Sequence, residues 1–253
     1  MNKRVVITGM GVISPVGNDV NTFWSNLCDG VCGIDYIKSF PTDNLPVGIA
    51  GIIKDFKAEE YGMDKPFIRK QDLFTQYGVA AAYQAMRQSG LSSKGEDKNI
   101  DPFRLGVYFG SGIGGFATQY REISKMIEDP SGQWISPLFI PTMISNIAAG
   151  HIAILHNAQG PCLDIVTACA TSTNAMGEAF RAIRNGYADA IITGGCENAT
   201  IPIGIVGFAN AKALSRATDP NYASLPFNGN RAGFVMADGS AALVLEEYEH
   251  AKA

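Results

Sequence analysis

Histidine is scarce in this chain of 253 residues, which has only His151, His156 and His250, and its five cysteines show no zinc-binding spacing. Cys28 and Cys32 stand four apart, but no second pair or histidine cluster accompanies them, which argues against a structural zinc site. Nothing resembles a secretory leader: basic residues precede apolar ones near the start, yet Gly9 and Gly11 interrupt the run. With an odd cysteine count, this predicts a reducing, cytoplasmic location. No stretch is long and apolar enough to span a bilayer, so no membrane association is expected. Excess positive charge is also missing. Lys and Arg total 20 against 24 Asp and Glu, a net charge of −4, which argues against nucleic acid as a partner. Any acidic partner must be held by a local basic patch. There is no short-period repeat.

What is present is ample material for a core and an alternation of strand and helix patterns. A buried-type strand is predicted over residues 4–8 and a glycine-punctuated loop over 9–17. Asn18 or Asp19 can cap a helix running to about residue 29. Residues 33–62 show no firm period. A small-residue helix over 74–89 ends at Gly90, and a polar loop over 92–101 leads to a strand over 104–110. Further patterns predict a helix over 142–155 and a last strand over 241–246. Together they argue for an α/β fold with a mixed, mostly parallel sheet.

The chain is organised around residues 160–198, GPCLDIVTACATSTNAMGEAFRAIRNGYADAIITGGCEN. It reads as a strand over 162–168, a sharp turn at Cys169, a helix over 171–185 stopped by Gly186, and a strand over 189–193. Cys169 thus falls at a strand end on the first turn of a helix, where unpaired N–H groups and the helix dipole favour a thiolate. The competing reading, an inert buried cysteine acting as a small hydrophobe, is the commoner fate of the residue type.

Gly110-Ser-Gly-Ile-Gly-Gly115 satisfies the dinucleotide fingerprint G-x-G-x-x-G after a predicted strand. That fingerprint calls for an acidic residue ending the next strand about twenty residues on. The chain instead has a helix end and turn at Ile127-Glu-Asp-Pro-Ser-Gly132, so the glycines are read as permitting close backbone approach. His151 lies on an Ala- and Ile-rich helix upstream of Cys169 and is read as a core or interface residue. His250, among charged residues, is read as solvated.

The Cys169 segment resembles the nucleophile segment of the elongating, type II β-ketoacyl-acyl-carrier-protein synthases of the thiolase superfamily. KRVVITGMGVISPVGN at the start, GSGIGG and ISPLFIPTMISNIAAGHIAI resemble that family in the same order, so the likeness covers essentially the whole chain. It implies a thiolase-like fold with helices on both faces of the sheet, and identifies Cys169 as the acyl-accepting residue. It further implies decarboxylative Claisen condensation with a malonyl unit, in which phosphopantetheine arrives on the carrier protein and no resident cofactor is needed. Ile113, Phe139 and Phe208 resemble residues of the family's acyl channel. Arg69 and Lys70 match its docking pair for the acidic acyl carrier protein, with Lys65 nearby and Lys212 and Arg216 as extensions. The family homodimerises through edge strands of the cysteine-bearing half, which points to residues 189–193 or their neighbours.

Two catalytic histidines, a lysine and a glycine-rich Phe loop belong to the family's second half, and none is found here. The whole of 1–253 is therefore read as the family's N-terminal domain, incompetent for condensation by itself. Asn228 and Ala232 stand where the family usually has Asp, and Ala237 where it has Gly, which removes carboxylate partners from Arg231. Two other readings are a non-catalytic, chain-length-type partner and a thiolase-type acyltransferase using coenzyme A.

Overall fold

Two neighbouring strands are buried along almost their whole length, and the architecture follows from covering both of their faces. The computed structural model describes residues 3–253. Its main sheet contains β1 (Val5–Ile13), β4 (Leu105–Gly110), β5 (Cys162–Leu163), β6 (Ala190–Glu197) and β7 (Gly239–Glu247), in the order β1-β7-β6-β4-β5. The strand β4 runs parallel to β5 and β6, while β7 is antiparallel to β6 and β1. All but β7 therefore point one way, giving the mixed, mostly parallel sheet read from the sequence. A separate pair, β2 (Ile34–Tyr36) and β3 (Ile49–Gly51), lies within the stretch that showed no period.

Helices cover both faces. On one, α3 (Leu73–Ser89) packs over β1, β7 and β6 beside α6 (Ile147–His156); on the other lies α7 (Thr171–Arg184). Adjacent residues of β6 show the division: Cys196 abuts Gly78 of α3, whereas Gly195 abuts Ser172 of α7. Phe74, Phe109, Ile152 and Ile192 are fully buried under α3 and α6, each contributing about 1.5–3 kcal/mol. Asp72 caps the start of α3 and Gly90 its end, the latter with φ of 71°. Asp19 caps α1 (Val20–Cys28) by accepting from the Thr22 N–H at 2.9 Å. No helix among the described residues is long and apolar enough to cross a membrane.

Several sequence expectations are corrected. The first strand does not stop at residue 8; it bulges near Gly9 and continues to Ile13. Its glycines are packing devices, since a Cβ on Gly9 would lie 1.9 Å from the Ala85 carbonyl oxygen and one on Gly11 2.0 Å from that of Ala81. The helix predicted over 142–155 is broken into α5 (Phe139–Met143) and α6 by an extended Ile144. The glycine loop docks at that break, where the Gly115 N–H donates to the Met143 carbonyl at 2.9 Å. The strand predicted over 162–168 shrinks to β5. The strand predicted over 189–193 is the central β6, not an edge, so dimerisation cannot use it; β5 is the edge on that side. His250 is not simply solvated: its Nδ1 lies 2.6 Å from Glu246 Oε1, because α9 (Tyr248–Lys252) turns back over the end of β7.

Candidate active site

Two glycines bring the first turn of α7 against the sheet. A Cβ on Gly195 would sit 2.3 Å from Ser172 Oγ, and one on Gly110 2.5 Å from Thr171 Cγ2. The start of α7 therefore lies at the carboxyl ends of β4 and β6, where ligands gather in open α/β sheets. Cys169 sits immediately before it, in a single tight turn spanning residues 168–170. Ala168 takes φ of 51°, a left-handed value unusual for a residue with a side chain. The Ala170 N–H donates to the Thr167 carbonyl at 3.1 Å and the Thr167 N–H to Thr171 Oγ1 at 2.9 Å, holding the turn from both sides.

Cys169 lines a cavity of about 670 Å³. Of the predicted channel residues, Ile113 and Phe208 line the same cavity; Phe139 lies on α5, outside its wall. Phe208 meets Phe234 edge to face at 5.5 Å, and with Met236 they make the wall apolar. None of the three histidines lines the cavity. His151 stacks edge to face on Phe67 at 4.9 Å and burial lowers its affinity for a proton, in keeping with a core role.

Sequence reasoning did not single out the cavity's carboxylates, Glu197 and Asp238. Burial pushes Glu197 up, opposed by hydrogen bonds from Ser111 and Gly112; burial likewise raises Asp238, against donors on Thr200, Asn198 and Ala199. Cys196 shares the cavity wall, but burial pushes its thiol well up. Burial and Asp164 raise the Cys162 thiol, although the residue as a whole is exposed. Among the described residues, no cluster of three or more His, Cys, Asp or Glu side chains is placed to hold a metal ion.

Lys65, Arg69 and Lys70 lie exposed on α2 (Lys65–Lys70), and Lys212 and Arg216 are exposed beyond α8 (Pro202–Asn210). No carboxylate among the described residues pairs with any of them within 4.0 Å. Short links join α2 to the cavity. Thr142 Oγ1 donates to the Lys70 carbonyl at 3.0 Å, and the adjacent Met143 carbonyl accepts from Gly115 of the loop that carries Ile113. At the departures near the end of the chain, Arg231 Nη1 donates to the Asn228 carbonyl at 2.9 Å, so a backbone acceptor meets the guanidinium there.

A family model described as "Beta-ketoacyl synthase, N-terminal domain" matches residues 2–251. The 3-oxoacyl-[acyl-carrier-protein] synthase 2 of Vibrio cholerae is 46% identical over 252 residues, covering 99% of this chain and 59% of the relative. Its namesake from Staphylococcus aureus is 44% identical, covering 100% of this chain and 59% of that protein. This chain thus spans 59% of the length of these curated relatives. A β-ketoacyl synthase from Burkholderia phymatum superposes with a TM-score of 0.85 at 27% identity, over 99% of this chain and 60% of that one. A type II PKS acyl-carrier protein in complex with its ketosynthase bound to the hexaketide gives a TM-score of 0.87 at 29% identity, over 100% of this chain and 60% of that one.

Proposed function

The chain belongs to the β-ketoacyl synthase family, and on that premise we propose that it takes an acyl group onto Cys169 for fatty acid chain elongation. The Cys169 sulfur attacks the carbonyl carbon of an acyl thioester delivered on phosphopantetheine. The Cys169 backbone N–H steadies the oxyanion, the new C–S bond forms as the old one breaks, and the carrier's thiol leaves with the proton. Malonyl-carrier protein then loses carbon dioxide, and its carbanion attacks the Cys169 acyl carbonyl to release the 3-oxoacyl product. None of this chain's histidines lines the cavity, so the imidazoles for that half-reaction are assigned to the part of its relatives' length that this chain does not span. The observation that carries the reading is Cys169 in a strained turn at the strand ends, sharing one cavity with Ile113 and Phe208.

The carrier protein docks on Lys65, Arg69 and Lys70, extended by Lys212 and Arg216; their exposure and freedom from ion pairing among the described residues support this. Homodimerisation uses the edge beside β5, where Leu163 and Val166 are both 48% exposed. The setting is cytoplasmic. The test is product formation from acyl- and malonyl-carrier protein. This chain alone should give no 3-oxoacyl product. Extended to the length of its relatives, it should give product that disappears in Cys169→Ala. Product from this chain alone, or product surviving Cys169→Ala, overturns the proposal.

A further inference from the structure

The acyl-transfer chemistry uses neither cavity carboxylate, and of the two Glu197 is the one tied to the glycine loop. Glu197 closes β6 and accepts from two points of the glycine loop at once: Ser111 Oγ reaches Oε1 at 2.8 Å and the Gly112 N–H reaches Oε2 at 2.8 Å. Ser111 Oγ in turn accepts from the Gly114 N–H at 2.8 Å. The residue between those two anchored points is Ile113, whose side chain lines the acyl cavity. Gly112 lets the carboxylate come close, since a Cβ there would lie 2.8 Å from Glu197 Oε2. Ser111 is 1% exposed, so its hydroxyl has no competing solvent. One half-buried carboxylate therefore fixes both sides of Ile113, Gly112 directly and Gly114 through Ser111.

We propose that Glu197 is a positioning residue for acyl-chain length: by clamping the Ser111–Gly114 turn it holds Ile113 back, keeping the cavity open to long acyl chains. The proposal rests on Cys169 being the acyl acceptor and adds what sets the depth of its channel. With the clamp loosened, the turn relaxes into the cavity and Ile113 narrows the space left for an acyl chain. A short acyl group needs less of that space than a long one.

The test compares transfer to Cys169 from two carrier-protein thioesters, one with a short acyl chain of about four carbons and one with about twelve, read by intact mass. Alkylation of Cys169 by iodoacetamide is measured in parallel. Glu197→Gln keeps the shape but replaces one acceptor oxygen with a donor that faces the Ser111 hydroxyl or the Gly112 N–H. The long-to-short ratio should fall about tenfold, the scale of one hydrogen bond to a charged group, with alkylation changed less than about twofold. Ser111→Ala removes one of the two anchors and should move the ratio the same way by about threefold, which keeps the proposal testable if Glu197→Gln does not fold. An unchanged ratio overturns the proposal. So does a parallel fall of both donors and of alkylation, which marks a merely structural role. Failure of both thioesters to acylate the wild-type chain overturns the acyl-transfer reading itself, whereas failure of the long one alone overturns this inference only.

Discussion

The Thr167 N–H donates to the Thr171 hydroxyl at 2.9 Å, a bond that closes the backbone over Cys169. Thr171 is 4% exposed, so its hydroxyl is committed to that bond. Thr171→Val keeps the volume and removes the acceptor. It should lower unfolding free energy by about 1 kcal/mol in a denaturant titration. Thr171→Ser, which keeps the hydroxyl, should retain most of that stability. Equal losses in both variants would assign the effect to methyl packing instead.

Reversing Arg69 and Lys70 to Glu should weaken acyl carrier protein binding at low salt, read by titration calorimetry. Wild-type binding should weaken as salt rises, because exposed charges are screened over roughly 10 Å at 0.1 M. Both residues end α2 in the open, without a carboxylate partner among the described residues, so the reversal breaks no internal ion pair. Binding indifferent to salt and to reversal would remove the docking assignment.

Most of the fold was legible because its signals are local. The caps at Asp19 and Gly90 and the buried runs of β4 and β6 each act within a few positions. The misses share a cause: contacts distant in sequence decided them. Gly9 and Gly11 read as loop punctuation until α3 lies against them. The predicted helix over 142–155 breaks because the Gly115 N–H, far upstream, takes the Met143 carbonyl. At the site, Cys169, Ile113 and Phe208, all named from the sequence and its family resemblance, fall on the wall of one cavity, although the strand expected to lead into Cys169 ends at Leu163. Glu197 was not legible, because its partners stand 85 or 86 positions away.

Acid should destabilise the chain in two identifiable windows. Burial drives His156 down from 6.5 to about 4, helped by Lys94, so it stays neutral in the fold. Its contribution is complete above pH 6.5 and is lost as pH falls toward 4. Burial alone would raise Glu122, but the Ser136 N–H, Lys125 and Arg121 outweigh it and hold the carboxyl at about 2 against an ordinary 4.5. Its contribution is complete above pH 4.5 and is lost as pH falls toward 2. Each is on the order of 1–2 kcal/mol, allowing for screening of the exposed partners. In melts from pH 7 to 3, His156→Phe should flatten the upper window and Glu122→Gln the lower. Unaltered slopes in both variants would show that other groups control acid unfolding.

Peptide mapping after exposure to an acyl-carrier thioester distinguishes Cys169 as the acyl acceptor from the other four cysteines. Cys196 is buried, and the Cys162 thiol is held protonated by burial and Asp164. Cys28 and Cys32 are exposed but stand outside the cavity. One acyl adduct per chain is expected, mapped to Cys169, stable until a thiol displaces it, and absent from Cys169→Ala. An adduct on another cysteine, or one that persists in Cys169→Ala, would contradict it.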